Sequence, residues 1–214
     1  SRFAKVLILL AASVMLVLGE SYLANRGILK FEYPILILLA VTGMMVMVSS
    51  GDLIVLYMGL ELQSLSLYVV AAFNRDSARS TEAGLKYFVL GALSSGMLLY
   101  GASLVYGYTG TTRFTGIAEV ISADGVELGL TFGLVFICAA LAFKISAAPF
   151  HMWMPDVLEG APTSVAGFLA VGPKIAVVAV TLRLFLTSFS GLHEVWVPLL
   201  WTVAALTSHL EKAG

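Results

Sequence analysis

The chain is short of almost everything a soluble enzyme uses for chemistry. It has a single cysteine, Cys138, set in an apolar run, so no disulfide forms within it and no cysteine-based metal cluster can be built. Its three histidines, His151, His193 and His209, are too far apart in sequence to form a helical ligand pair. No glycine-rich phosphate loop opens a helix, which argues against a nucleotide site. Only 12% of the residues are charged, against about a quarter in soluble domains, and the net charge is -1, which argues against nucleic acid as a partner. What the chain has is apolar surface: 59% of its 214 residues are hydrophobic, and the mean hydropathy is +0.97. Together these values indicate an integral membrane protein in contact with the lipid bilayer.

A spanning helix needs about 20 mostly apolar residues. Six runs qualify, at 5–23, 34–50, 53–73, 84–106, 128–150 and 163–187, and a shorter seventh covers 195–208 before His209 and a polar tail. The expected fold is therefore all-α, a polytopic transmembrane helix bundle forming one membrane domain over 1–214. The link at Gly51–Asp52 is tight, whereas the link 107–127 is long, with an amphipathic stretch around Ile117 to Ile121 suited to the interface. The first run lacks a small-residue cleavage site and is read as a span, not a signal peptide. Arg26, Lys30, Arg75 and Arg79 collect on one side of the alternating crossings. That bias places the 25–32 and 74–82 loops in the cytoplasm and the first residue outside.

Three charges fall where charge is costly. Glu61 is the ninth residue of 53–73, roughly 13 Å into a core of about 30 Å. Lys174 is near the middle of 163–187, and Lys144 follows the uncharged run Gly129 to Phe143. Each charge costs about 2.5 to 3.5 kcal/mol at the bilayer centre. Bland roles exist for all of them. Glu61 and one lysine could form a structural ion pair, and Lys144 could snorkel from an early helix end. Lys86, third in its run, is within reach of the headgroups. Glu20 and Arg183 lie nearer the ends of their runs and read as interfacial; Cys138 reads as a packing residue. Two central lysines and one glutamate cannot all pair one to one, however. Burial disfavours an ammonium and a nearby carboxylate favours it, so such a trio is a switchable proton store. Ser64, one turn after Glu61 on the same face, and Ser146 add polar groups nearby.

Proline sharpens this reading. Pro149 removes a backbone donor and clashes with the carbonyl of residue 145, which predicts a break around Ile145 to Ala148. His151 and Trp153 then fall on the second segment or its loop, and Asp156 to Pro162 turn the chain into the next helix. Pro173, beside Lys174, repeats the device, with a plain kink as the alternative. Irregular backbone at membrane depth is tolerated only where it is buried in protein or lines a wet cavity, the build of secondary transporters.

The segments "GLELQSLSLYV" (59–69), "KYFVLGALSSG" (86–96), "FKISAAPFHMWMPDVLEGAPTSVAGFLA" (143–170) and "PKIAV" (173–177) closely resemble the N-subunit family of proton-translocating NADH:quinone oxidoreductase, respiratory complex I, which belongs to the antiporter-like subunits. The mitochondrial equivalent is NADH dehydrogenase subunit 2. The resemblance implies two inverted five-helix repeats, each with a discontinuous helix, of which this chain holds the first. Glu61 is then the carboxylate that pairs with and modulates Lys144, the lysine on the broken helix. Lys174 is the central-axis lysine, and Lys86, which matches a family lysine on the helix after the glutamate helix, joins Glu61, Lys144 and Lys174 in the expected proton-translocation set. The chain is then a non-redox subunit of an H⁺-translocating NADH:ubiquinone reductase, with no catalytic, cofactor or metal site of its own. Flavin, iron–sulfur clusters and quinone are expected in partner subunits, and the partners are other membrane subunits of complex I. The expected location is the bacterial inner membrane in preference to the mitochondrial one. The second repeat and an initiator Met are absent, so a fragment, a partial chain or a chimera is expected. Two other functions stay open: a related multi-subunit cation/proton antiporter, and a non-pumping scaffold. Lysines favour protons over sodium, because an ammonium offers donors and no lone pair.

Overall fold

The computed structural model describes residues 2–124 and 127–213; expectations placed on Ser1 and Gly214 lie outside them. Among the described residues nine α-helices follow in order: α1 (Arg2–Asn25), α2 (Glu32–Ser49), α3 (Leu53–Ala71), α4 (Ala78–Thr109), α5 (Phe114–Asp124), α6 (Leu128–Lys144), α7 (Met154–Gly160), α8 (Thr163–Thr187) and, after a 3₁₀ turn at Ser190–Leu192, α9 (His193–Ala213). Among the described residues there is no strand, only an isolated bridge between Asp52 and Arg113. Helices α1, α2, α3, α4 and α8 are long and apolar enough to cross a membrane. The run 128–150 yields a shorter helix because α6 stops at Lys144.

Local capping explains where several boundaries depart from the hydrophobic runs. Helix α4 starts at Ala78, six residues before the expected 84, because Ser77 Oγ accepts the Ser80 N–H and Ser80 Oγ donates to the Ala71 carbonyl. It ends at Gly110, whose φ of 68° only glycine adopts freely. At 1.5 Å per residue α4 is about 48 Å long, more than the roughly 30 Å core needs. The turn expected over Asp156 to Pro162 is largely taken up by the short helix α7, Met154–Gly160, with a proline in its first turn. Helix α9 continues past the expected stop at His209 to Ala213. The amphipathic stretch in the long link is α5, which buries Phe114, Ile117 and Ile121.

Two pairs of helices pack backbone to backbone. A Cβ on Gly43 would lie 2.5 Å from the Gln63 nitrogen and 2.6 Å from the Gly59 carbonyl oxygen, so α2 and α3 approach only through glycine. Gly101 and Gly133 do the same for α4 and α6. Helix α8 packs against α1, α2, α3, α6 and α7. Its start is tied to α1 by Tyr22 OH and Thr163 Oγ1 at 3.1 Å, and near its end Arg183 donates to the Val48 carbonyl at 3.1 Å. Tyr33 at the start of α2 meets Phe73 just past α3, ring edge to face. The two basic loops therefore share one end of the bundle. The outer faces carry exposed Leu9, Val17, Leu38, Val55, Leu93 and Leu182, as lipid contact or further protein would require.

Candidate functional site: a buried lysine at a helix break

The break is built by the end of α6 itself. Ser146 N–H donates to the Phe143 carbonyl at 3.0 Å, and Ala147 N–H donates to the Ala142 carbonyl at 2.9 Å. This pair of bonds is a Schellman cap, and its left-handed position is occupied by Ser146 at φ 59°. The interruption therefore lies in the expected interval, but it begins before Pro149. That proline follows the cap and, lacking an N–H, cannot resume the ladder. Ala148 N–H donates instead to Thr207 Oγ1 of α9 at 3.0 Å. Trp153 Nε1 returns to the Phe143 carbonyl at 3.1 Å. The second expected break, at Pro173, does not form, and α8 is helical from Thr163 to Thr187. The residue before it is Gly172, which has no Cβ to clash with the proline ring, so the helix passes through at the cost of one donor.

Lys144, the last residue of α6, is 6% exposed. Its Nζ donates to Ser64 Oγ at 2.8 Å and to Tyr68 OH at 3.3 Å, both on α3. It also lies 5.7 Å from the centre of the Tyr68 ring. The direct pairing with Glu61 implied by the family resemblance is not a contact in this structure: among the described residues no carboxylate lies within 4.0 Å of Lys144. Glu61 is one turn from Ser64, and its Oε1 is buried without a hydrogen-bond partner. Glu61, Ser64 and Tyr68 are spaced three and four apart and so form one stripe of α3.

Lys174 is half-buried on α8, with Nζ 3.5 Å from Met154 Sδ. It borders a cavity of about 1000 Å³ shared with Ile145, Ala148, His151 and Thr207. The break and the second lysine thus open on the same space, and His151 Nδ1 is buried without a partner. Lys86 is elsewhere. Because α4 starts early, it is the ninth residue of its helix and not the third. It pairs with Glu82 and with Asp156 of α7, each at 2.8 Å, beside an Arg79–Glu159 pair at 3.3 Å. The Glu82–Lys86 spacing of four was readable in sequence. The roles of Tyr68, Thr207 and Asp156 were not, since each meets a residue at least 59 positions away.

A membrane helix bundle built round an interrupted helix, with one buried lysine at the break and a second lysine bordering the cavity that the break lines, has the antiporter-like fold. The chain belongs to the NADH:quinone oxidoreductase/Mrp antiporter transmembrane family, whose model matches residues 50–211. It is similar to NADH-quinone oxidoreductase subunit N of Jannaschia sp. (strain CCS1), 59% identical over 98% of this chain and 44% of that protein. Among solved structures it resembles a chain of respiratory complex I from Thermus thermophilus with bound aureothin: TM-score 0.71, 36% identity, 84% of this chain and 38% of that one. It also resembles a chain of the Mrp complex from Dietzia sp. DQ12-45-1b: TM-score 0.72, 26% identity, 87% of this chain and 34% of that one. The chain spans 44% of the length of curated relatives such as the Jannaschia protein.

Proposed function

We propose that the chain is the first repeat of subunit N in the membrane arm of a proton-translocating NADH:quinone oxidoreductase, where it moves protons through Glu61, Lys144, Lys174 and water. The observation that carries this reading is Lys144, buried at the end of a broken helix and hydrogen-bonded only to hydroxyls. An ammonium held this way has no fixed counter-charge, so its proton affinity follows whatever charge approaches it. Glu61, with its unpartnered oxygen one turn away, is that charge. A unit-charge pair at 4 Å and an effective dielectric near 20 is worth on the order of 4 kcal/mol. Moving the carboxylate in or out is therefore enough to load or unload the lysine. The unloaded proton passes through the cavity by the break to Lys174. Lys86, with Glu82 and Asp156, guards the end of the bundle where α4 meets α7.

Electron transfer takes place on flavin, iron–sulfur clusters and quinone held by partner subunits, and this chain contributes the non-redox, proton-moving step. Its partners are other membrane subunits of respiratory complex I in a bacterial inner membrane. The end carrying Arg26, Lys30, Arg75 and Arg79 faces the cytoplasm.

The test is proton pumping by the whole complex in vesicles, with Glu61→Gln, Lys144→Met or Lys174→Met in the full-length subunit. Assembly is expected to survive while pumping, and the quinone reduction coupled to it, falls. Wild-type pumping in all three variants rejects the relay and leaves a scaffold, for which apolar replacement of buried charge is often neutral. The likeness to the Mrp chain supports a second reading, a cation/proton antiporter subunit. Sodium uptake coupled to proton release by the same vesicles without NADH would favour it.

A further inference from the structure

The surroundings of Lys144 form a closed circuit. Its Nζ meets the hydroxyl and ring of Tyr68 on α3. The Tyr68 ring meets Tyr87 of α4 edge to face, centroids 4.7 Å apart. Tyr87 stacks on Trp153, centroids 4.6 Å apart and 8° from parallel. Trp153 closes the loop with its bond to the carbonyl of Phe143, the residue before Lys144. All three rings are at most 5% exposed. A slot for Tyr68 is cut into α4 at Gly91, where any Cβ would collide with the tyrosine hydroxyl. The circuit ties the ammonium, which lies before the break, to Trp153, which lies after it.

We infer that Tyr68 is a positioning residue for Lys144: its hydroxyl and ring hold the ammonium against α3, and the Tyr87–Trp153 stack passes the position of that ammonium to the chain beyond the break. Edge-to-face and stacked rings prefer defined orientations, so a displaced Tyr68 ring must move its neighbours. A close-packed aromatic stack has low compressibility, so a displacement at one ring is passed to the next. When the ammonium leaves Ser64 and Tyr68, the restraint on Trp153 loosens and the 145–153 segment is freed at the wall of the cavity. The geometry stands alone, but its use in transport rests on the proposed role of Lys144.

Hydrogen–deuterium exchange of the intact complex, followed by mass spectrometry, tests this on the peptide covering 145–153. Lys144→Gln is expected to raise exchange there, Tyr68→Leu to raise it by a similar amount, and the double variant to raise it no further, because the two residues act through one path. Tyr68→Phe, which keeps the ring and loses the hydroxyl, is expected to give a smaller rise. Peptides covering α3 and α8 serve as the control and are expected to stay at wild-type exchange. Additive effects, no rise in Tyr68→Leu, or an equal rise throughout α3 and α8 would each overturn the inference. If Tyr68→Leu fails to assemble, wild-type exchange in Tyr68→Phe overturns it instead. The exchange readout requires no pumping, so wild-type pumping in Glu61→Gln, Lys144→Met and Lys174→Met alike removes the proposed function while leaving this result to be judged separately.

Discussion

Lys144 Nζ donates to Ser64 Oγ at 2.8 Å, whereas Glu61, one turn back on the same stripe of α3, keeps a buried oxygen without a partner. The serine therefore takes the place a carboxylate would otherwise fill. Removing it with Ser64→Ala deletes a hydrogen bond to a charged group, and such bonds contribute about 1.5 to 3 kcal/mol. Glu61 is the acceptor best placed to compensate. Thermal unfolding of the full-length subunit in detergent is expected to show a loss near the lower end of that range for Ser64→Ala alone. The loss should be larger when Glu61→Gln is also present, beyond the sum of the two single changes. Strictly additive losses would show that Glu61 does not back up Ser64.

Ser146 holds a left-handed conformation at φ 59°, with a buried hydroxyl that has no partner. Ser146→Gly is expected to be neutral or stabilising by up to about 1 kcal/mol, because glycine reaches that region without a Cβ clash. Ser146→Val is expected to cost about 1 to 2 kcal/mol through the same clash, sharpened by β-branching. Melting temperatures of the two variants, compared under one set of conditions, check the sign. A valine variant as stable as the glycine variant would contradict the Schellman geometry.

Gly43 faces backbone atoms of α3 that cannot move aside as a flexible side chain would. Gly43→Ala is expected to push α2 from α3 at a cost of about 1 to 3 kcal/mol, the range for overpacked interiors. Gly96 has open space around it, and Gly96→Ala serves as the matched control. Membrane levels of the subunit, followed by immunoblot, should fall for the first variant only.

Asp52 lies outside the spans and joins the α2–α3 and α4–α5 links at one end of the bundle. It caps α3 through the Ile54 N–H and accepts from the Thr112 hydroxyl at 2.6 Å. Burial pushes its carboxyl up, but the bonds from Thr112 and from the backbone N–H groups, with Arg113 nearby, outweigh that and hold it below its ordinary value. A depressed carboxylate stabilises the fold at pH values above its unfolded pKa of about 3.9 and loses that contribution as pH falls through the folded value. Wild type is therefore expected to melt above Asp52→Asn at pH 7, with the gap closing below about pH 4. A gap that stays constant down to pH 3 would assign the effect to shape instead of charge.

The helices were legible because hydrocarbon is an unforgiving solvent. A run of about 20 apolar residues has few other folds open to it, so most of the spans fell where hydropathy placed them, and Glu61, Lys144 and Lys174 stood out by their cost. Local chemistry could be read too: Pro149 marked the break and Asp52 the tight turn. The exact ends were not legible, because a serine cap at Ser77 or Ser146 competes with hydropathy within a single turn. Nor did sequence separate Pro149 from Pro173. Both are prolines beside a lysine, and only the glycine before one and the Schellman cap before the other send the backbone different ways. The partner of Lys144 was decided by tertiary structure alone. Ser64 and Tyr68 lie 80 and 76 residues away, and no local periodicity reports which of three polar residues on one helical stripe will face an ammonium arriving from another helix. That choice depends on where α6 stops and how closely glycines let α2, α3, α4 and α6 approach. Those distances are properties of the packed bundle, not of any segment within it.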